Sequence, residues 1–243
     1  MASPYKRPPI TEAVIEVQFA SSVEKESLEK LQKRLLEDYP VPPLTEFLVE
    51  FEVSDTVSKA KQVFAGYRLT SGDSADVVVI GPGRIGHSRL PPYQGWESFV
   101  ERARRNWDIW KRIVGWQPIK RIGVRYVNRI DIPNVEESLI NLEEYLTVAP
   151  QLPQGAGLPP MNHFAVNVQV PLGIGNFKVI LNVGSMPSPL VKTTSFLLDV
   201  DVSLDSELPT ADEPIWAVIG EMREYKNRIF EASITDKTRA LFG

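Results

Sequence analysis

Three arginines spaced four residues apart are the strongest chemical signal in the chain. Arg121, Arg125 and Arg129 lie in a stretch where polar and apolar residues alternate, so they share one face of a predicted strand. Each guanidinium group can form two parallel hydrogen bonds to a phosphate or a carboxylate. In a chain of net charge −4, this local row of cations predicts a site for an anionic ligand or a nucleic acid.

A structural interpretation of the same arginines competes with the ligand site. If the first predicted strand neighbours the arginine strand, Glu12 and Glu16 lie close to Arg125 and Arg129. Opposite charges on neighbouring strands are ordinary stabilising pairs. Both interpretations stay open. The candidate ligand-binding residues are the arginines, the glutamates and an asparagine of the same segment: Arg121, Arg125, Arg129, Asn128, Glu12 and Glu16.

Two pairs of carboxylates can also carry chemistry. Glu50 and Glu52 stand two residues apart on one predicted strand, and Asp199 and Asp201 do so on another, so each pair shares a face. Such pairs can hold a divalent cation or divide acid and base roles. No third ligand accompanies them and the chain has no cysteine, so we predict neither a metal nor a cofactor.

Two further signals indicate ordinary structure. The segment Gly81–Gly86 matches the G-x-G-x-x-G dinucleotide pattern, but no helix opens directly after it, so a hairpin turn is the better interpretation. His87 and His163 adjoin no nucleophile motif, and we predict both at the surface. Because no complete catalytic set is present, the sequence favours a binding protein over an enzyme.

The hydrophobic pattern places these residues on nine strands and four helices. Helices are predicted after the capping pairs Ser21/Glu24 and Asn134/Glu137, after Gly95, and around Pro214. The Pro- and Gly-rich stretch 150–160 predicts a loop. The predicted strands are Thr11–Phe19, Phe47–Val53, Val63–Thr70, Asp76–Ile80, Arg84–Leu90, Ile119–Asp131, His163–Val170, Phe177–Ser185 and Thr194–Leu204.

In chain order the elements read β-α-β-β-β-β-α and then β-α-β-β-β-α. This is an internal duplication of architecture, with halves 1–116 and 117–243 that we expect to form one integrated α+β domain. Because nearly every strand alternates, the expected fold is a curved antiparallel sheet with helices on one face and the other face open. The order is similar to the TATA-box-binding-protein-like fold, and that topology implies no function.

Four segments also carry a family resemblance. They are the Pro8-Pro9-x-x-Glu12 start, the segment Pro92–Phe99, the central Gly123-x-Arg125-Tyr126-x-Asn128-Arg129-Ile130, and Phe230-Glu231-x-x-Ile234-Thr235 near the end. Together they resemble an uncharacterised, sporadically distributed bacterial protein family of similar length. The resemblance implies a shared fold and implies no catalytic activity.

Composition narrows the functional classes further. Of the 243 residues, 43% are hydrophobic and 24% are charged, which is typical of a chain that buries a core. The start of the sequence has no apolar run that resembles a signal peptide, and no stretch approaches the ~18 apolar residues of a membrane span. We therefore expect a cytoplasmic protein with no membrane partner.

Three functions are compatible with the sequence. The first is a non-catalytic binding module that holds an anionic ligand, a nucleic acid or a protein on the open sheet face. The second is a metal-assisted or acid–base enzyme that uses the carboxylates of that face. The third is a structural protein that forms a homodimer through exposed edge strands.

Overall fold

The computed structural model describes residues 5–53, 58–134, 136, 138–153, 157–158, 161, 163–173 and 175–243, apart from the side chains of 52, 53, 58 and 59. Within this part, nine strands form a single antiparallel sheet in the order β2-β3-β4-β5-β1-β6-β9-β8-β7. The strands are β1 (Ile10–Phe19), β2 (Val41–Val53), β3 (Ser58–Thr70), β4 (Asp76–Gly81), β5 (Arg84–Arg89), β6 (Ile119–Pro133), β7 (Ala165–Pro171), β8 (Lys178–Met186) and β9 (Thr193–Leu204). The predicted α+β class is confirmed.

Four helices accompany the described strands. They are α1 (Lys25–Leu35), α2 (Trp96–Val114), α3 (Asp212–Ser233) and α4 (Asp236–Phe242). The predicted cap of α1 is wrong, because Ser21 donates to the Gln117 side chain at 2.6 Å and Glu24 is the residue before the helix. Helix α4 was not predicted. Its cap is Thr235, whose hydroxyl accepts the Thr238 N–H.

The helix predicted after Asn134 is wrong. In this region the described residues form only a 3₁₀ turn, Leu142–Glu144. Asn134 does accept the Ser138 N–H at 3.1 Å, but no helix follows, and Leu139 of the expected apolar stripe is exposed. Two other residues of the stripe reach the core without a helix, since Leu146 is buried and Leu142 packs against the same cluster. Val135 and Glu137 lie outside the described residues.

The chain divides into two compact units. Unit 1 contains residues up to Ala13, Gly123–Glu207 and Ala211–Gly243, and unit 2 contains Val14–Ile122 and Leu208–Thr210. The halves expected from sequence, 1–116 and 117–243, stay a prediction. No helix among the described residues is long and apolar enough to cross a membrane.

The core of unit 2 contains aromatic rings from α2 and β1. Phe19 stacks on Trp107 and Trp110, with ring centroids 6.2 and 4.8 Å apart, and all three side chains are buried. The predicted apolar stripe of α2 is therefore confirmed at these positions. The hairpin prediction at Gly81–Gly86 is also confirmed, because β4 and β5 pair from Asp76–Arg89 to Gly81–Arg84.

The core of unit 1 lies between helices and strands β6, β8 and β9. Ile130, Leu198 and Phe230 belong to one buried cluster that also contains Phe242 of α4.

On α3, the buried Lys226 has its Nζ 3.7 Å from the centroid of the Tyr126 ring. Burial, followed by the charge of Arg223, lowers the pKa of Lys226 to about 7.

Replacing Lys226 with methionine is expected to stabilise unit 1. An unfolded lysine holds its proton up to a pKa of about 10.4. Between pH 7 and 10 the unfolded chain therefore binds a proton that the folded chain does not, and stability of the natural chain rises with pH. We expect Lys226→Met to add about 1–3 kcal/mol at pH 7, less the lost ring contact, with the gain shrinking towards pH 10.

Urea unfolding at pH 7, 8.5 and 10 measures this change. Lys33→Met is the control, because Lys33 is exposed on α1. A Lys226→Met variant less stable than the natural chain at every pH would show that the ammonium group stabilises the core.

Candidate functional site

Arg125 and Asp199 form the best-defined ion pair on the sheet face that carries the arginines, which we call the open face. Arg125 Nε donates to Asp199 Oδ1 and Nη2 donates to Oδ2, both at 2.8 Å. The Asp199 side chain is 2% exposed, whereas the Arg125 side chain is 50% exposed. The hydrogen bonds to Asp199 raise the pKa of Arg125. The guanidinium group therefore covers and neutralises an enclosed carboxylate.

The Arg125–Asp199 pair continues into a chain of amide side chains within unit 1. Asn182 Nδ2 donates to Asp199 Oδ2 at 3.0 Å, Asn167 Nδ2 donates to Asn182 Oδ1 at 2.5 Å, and Gln169 Nε2 donates to Asn167 Oδ1 at 3.3 Å. The register places Asn182 opposite both Asp199 and Asn167. We call these five residues on β6, β9, β8 and β7 the polar ladder. Their mutual bonds fix one arrangement on the open face.

Arg121 lies beside a carboxylate in unit 2. Its Nη1 is 3.4 Å from Glu16 Oε1, and Glu16 Oε2 is 3.7 Å from Arg84 Nη1. Arg84 in turn lies 3.2 Å from Glu46 of β2. Glu16 therefore lies between two arginines.

Arg129 forms an ion pair along its own strand. Its Nε donates to both oxygens of Asp131, at 2.9 and 3.1 Å, and Ser195 Oγ donates to Asp131 Oδ1 at 2.6 Å. Glu12 contributes to the raised pKa of Arg125 through its charge. Each arginine of the predicted row thus has a carboxylate within 3.4 Å. Electrostatically, these contacts favour the structural interpretation of the row over an anion site.

Asn128 lies apart from the arginine row. It is 2% exposed and belongs to the alternate, buried side of β6. Its Nδ2 donates to the Leu198 carbonyl at 2.9 Å and to the Tyr126 carbonyl at 3.3 Å. The structure therefore places this candidate where it joins β6 to β9.

The described residues also locate most of the carboxylates that the sequence offered for metal or acid–base chemistry. No group of three or more histidines, cysteines, aspartates or glutamates in the described part of the chain could hold a metal ion. Asp199 already accepts hydrogen bonds from Arg125 and Asn182. Glu50 lies opposite Lys61 in the β2–β3 register, and the Glu52 side chain is outside the described part.

The surface prediction for His87 is wrong, because its side chain is 3% exposed inside unit 2. Asn106 Nδ2 lies 3.0 Å from His87 Nδ1 and also donates to Tyr39 Oη at 2.7 Å. Because the amide nitrogen is a donor, Nδ1 accepts and the proton of the neutral ring is assigned to Nε2. Nε2 lies 3.9 Å from Asp76 Oδ1. The histidine is thus enclosed in a polar network.

Asp76 is the charged centre of that network. It is 2% exposed and lies 2.7 Å from Arg89 Nη1 and 3.1 Å from Arg102 Nε. Burial, then the charges of Arg102 and Arg89, lower the pKa of His87 to about 3. Two arginines already exceed the charge of this one carboxylate, so a protonated His87 would add a further unmatched positive charge.

An extended β-ribbon in unit 2 is the feature that sequence reasoning missed. β4 pairs with β3 only over Tyr67–Thr70, whereas β2 and β3 pair as far as Val53 and Ser58. The ribbon departs at Gly66, whose φ is +139° and whose Cβ position would lie 2.1 Å from the Ile80 carbonyl oxygen, so only glycine fits. We call residues 46–53 and 58–66 the arm.

The arm exposes large apolar side chains on both faces. Phe47, Val49 and Phe51 are 55%, 50% and 72% exposed on one face, and Leu48 is 62% exposed on the other. Their alternation predicted a strand correctly, but a strand pattern cannot distinguish a buried face from an exposed one. The available signal was the run Phe47-Leu48-Val49, which is apolar on both faces at once.

Removing Arg125 is expected to destabilise the protein, because Asp199 would be left enclosed without its cation. We expect Arg125→Ala to lower the free energy of unfolding by about 2 kcal/mol. In an Asp199→Asn background the same change should cost at least about 0.5 kcal/mol less, because the pair is already broken. Urea unfolding of the four proteins measures this coupling. Additive losses would show that the pair has no structural role.

His87 is expected to make stability fall in acid. An unfolded histidine protonates near pH 6.5, whereas His87 resists protonation until about pH 3. Between these values the unfolded state binds the extra proton, so falling pH removes about 1.4 kcal/mol per unit. His87→Gln should flatten the pH dependence of urea unfolding between pH 6.5 and 4. His163→Gln, at an exposed position, is the matched control and should leave the slope unchanged.

No protein-family model matches the chain, and no curated protein matches it significantly. The function is therefore inferred from the residues and contacts described above.

Proposed function

We propose that the protein is a protein-interaction module that works by pairing the edge strand β2 of its arm with a second copy of the chain. The observation that carries this proposal is the exposure of Phe47, Val49 and Phe51 along one face of that strand. Contiguous apolar side chains on a protein surface mark interaction sites. Aromatic residues are also enriched in the centres of protein interfaces.

The position of β2 in the sheet supports a strand-pairing mode. β2 is the first strand in the sheet order and has β3 as its neighbour on one side. An edge strand presents unpaired backbone N–H and C=O groups that can add a further strand. Monomeric proteins commonly protect such edges with lysine, proline or bulges. In β2 the prolines Pro42 and Pro43 and two register shifts, at Val41/Leu44 and Glu46/Phe47, come before the apolar stretch, and the pairing with β3 after Phe47 is regular.

The charge pattern of β2 favours a second copy as the partner. On one face the residues alternate in the order Leu44, Glu46, Leu48, Glu50. In an antiparallel two-fold pair centred on Phe47, Glu46 lies opposite Leu48 of the other copy, and Glu50 lies opposite Leu44. This register avoids placing one glutamate opposite another, an arrangement that would be destabilising. The two Phe47 rings meet on the opposite face, where they exclude water.

An anionic or polar ligand on the open face of unit 1 is the second candidate function. It is favoured by the half-exposed guanidinium of Arg125 at the end of the polar ladder. The arginine contacts with carboxylates weigh against a strong anion site. If Arg125→Ala leaves stability intact but removes binding of a nucleic acid or phosphate, this second function is the correct one.

A charge placed on the arm is expected to separate the dimer. Light scattering of the natural chain should give twice the 27.3 kDa of one chain. Phe51→Lys should shift the mass to that of one chain, because a buried lysine without a partner is costly in an interface. The 72% exposed Phe51 belongs to no core, so the melting temperature at a concentration where both proteins are monomeric should not fall.

Val191→Lys is the matched control, because Val191 is an 89% exposed apolar residue that belongs to unit 1. This variant should stay dimeric. A natural chain that is monomeric at all concentrations would rule out the second copy. Phe51→Lys that stays dimeric would place the interface elsewhere.

A further inference from the structure

A cavity of about 420 Å³ lies within unit 1. Its walls come from the start of β9, the end of β8, and the segments around Ser138–Leu142 and His163–Phe164. Typical small-molecule sites enclose about 300–1,000 Å³. The cavity has the volume of a small organic molecule.

The floor of the cavity is apolar and well packed. Phe164 and Phe196 line it with their ring centroids 5.8 Å apart, and Leu142 adds an aliphatic wall. Phe196 belongs to the buried core cluster of unit 1, against which Phe164 and Leu142 also pack. These side chains are held by the core, so the floor suits the apolar body of a ligand.

The rim of the cavity carries the ammonium group of Lys192. His163 also lines it, and no aspartate or glutamate is among the described residues of the lining. Two nearby hydroxyl groups are already engaged, since Ser188 Oγ donates to the Leu190 carbonyl and Thr193 Oγ1 donates to the Val191 carbonyl, both at 3.1 Å. The rim therefore offers the Lys192 ammonium group to an anionic ligand, and Ser185 and Thr194 of the lining add hydroxyl groups.

Lys192 has an unusual backbone conformation at this rim. Its φ is +54°, in the left-handed region that a non-glycine residue adopts at a cost. The conformation is held because the Lys192 carbonyl accepts the Asn134 N–H at 2.8 Å, and Asn134 Nδ2 donates to Thr194 Oγ1 at 3.0 Å. Glycine adopts this φ without strain, so a glycine in place of Lys192 would keep the turn while removing the cation.

We propose that this cavity binds a small monocarboxylic acid with an apolar body, such as an aryl-alkyl carboxylate. The body lies on the Phe164–Phe196 floor and the carboxylate meets Lys192, and His163 also lines the cavity. A single carboxylate fits better than a phosphate, because phosphate sites in proteins use arginine forks or clustered backbone N–H groups. This site belongs to unit 1 and is independent of the dimer proposed for the arm.

The test uses the full chain with 3-phenylpropionate, octanoate and benzoate, and with 3-phenylpropan-1-ol as the neutral analogue. Ligand-observed NMR and calorimetry measure binding. At least one acid should bind, and the alcohol should bind at least about tenfold more weakly than 3-phenylpropionate, because it lacks the charge-assisted hydrogen bond. Lys192→Gln should weaken binding of the acid by a similar factor.

Lys192→Gly provides a second variant, which we expect to fold as stably as the natural chain. It relieves the positive φ, so its melting temperature should not fall, yet its affinity for the acid should drop as far as that of Lys192→Gln. Lys33→Gln, at an exposed helix position outside the lining, should bind normally. Equal binding of acid and alcohol, unchanged affinity in both Lys192 variants, or no binding of any acid at millimolar concentration would overturn the proposal.

Discussion

The alternation of buried and exposed side chains along the strands is the constraint on which the rest of the structure depends. In β6 the even-numbered side chains from Ile122 to Ile132 are all buried, and the odd-numbered arginines point to the other face. Whether a residue of β6 has an even or an odd number therefore decides whether its polar group is buried or lies on the arginine side. Asn128, on the buried side, must satisfy its amide with backbone carbonyls, whereas Arg125, three residues earlier, reaches a carboxylate. Arg125 and Asn128, three residues apart in one sequence segment, therefore have unrelated roles.

Both units enclose a carboxylate and match it with arginine. Asp199 in unit 1 is covered by the forked contact of Arg125, and Asp76 in unit 2 is held by Arg89 and Arg102. An enclosed carboxylate without a cation would be costly, so these arginines are fixed by the charges beneath them. Arginine suits this task because its planar fork bonds both carboxylate oxygens at once. In the sequence, this paired hydrogen bonding by arginine suggested a phosphate site. In the structure, it stabilises the fold by neutralising buried carboxylates.

What the sequence could predict follows from which patterns are local. Period-two alternation located all nine described strands, although β2 and β3 begin six and five residues before their predicted starts. The apolar stripe of α2 was also recovered, because both patterns depend on a residue's immediate neighbours. The helix after Asn134 was wrong because Leu142 and Leu146 reach the core from a 3₁₀ turn and the residue that follows it closely, and a local apolar stripe cannot distinguish this from a helix. His87 was misplaced because its enclosure depends on Tyr39 and Asn106, which are distant in sequence. The ion pair of Arg125 with Asp199, 74 residues away, could not be read from either segment.

The arm shows where the alternation rule stops specifying a fold. Phe47 pairs with Phe64, and Phe51 with Ala60, so the ribbon satisfies its backbone internally on one side. A two-stranded ribbon alone is marginally stable in water, and three or more strands or a covering element are needed for independent stability. The apolar face of the arm extends past the part of β3 that β4 supports, so it lacks that cover in a single chain. A further strand along β2 would supply both the missing backbone partners and the missing apolar contact. In the dimer proposed above, the exposed strand that is a liability for one chain would form the contact between two chains.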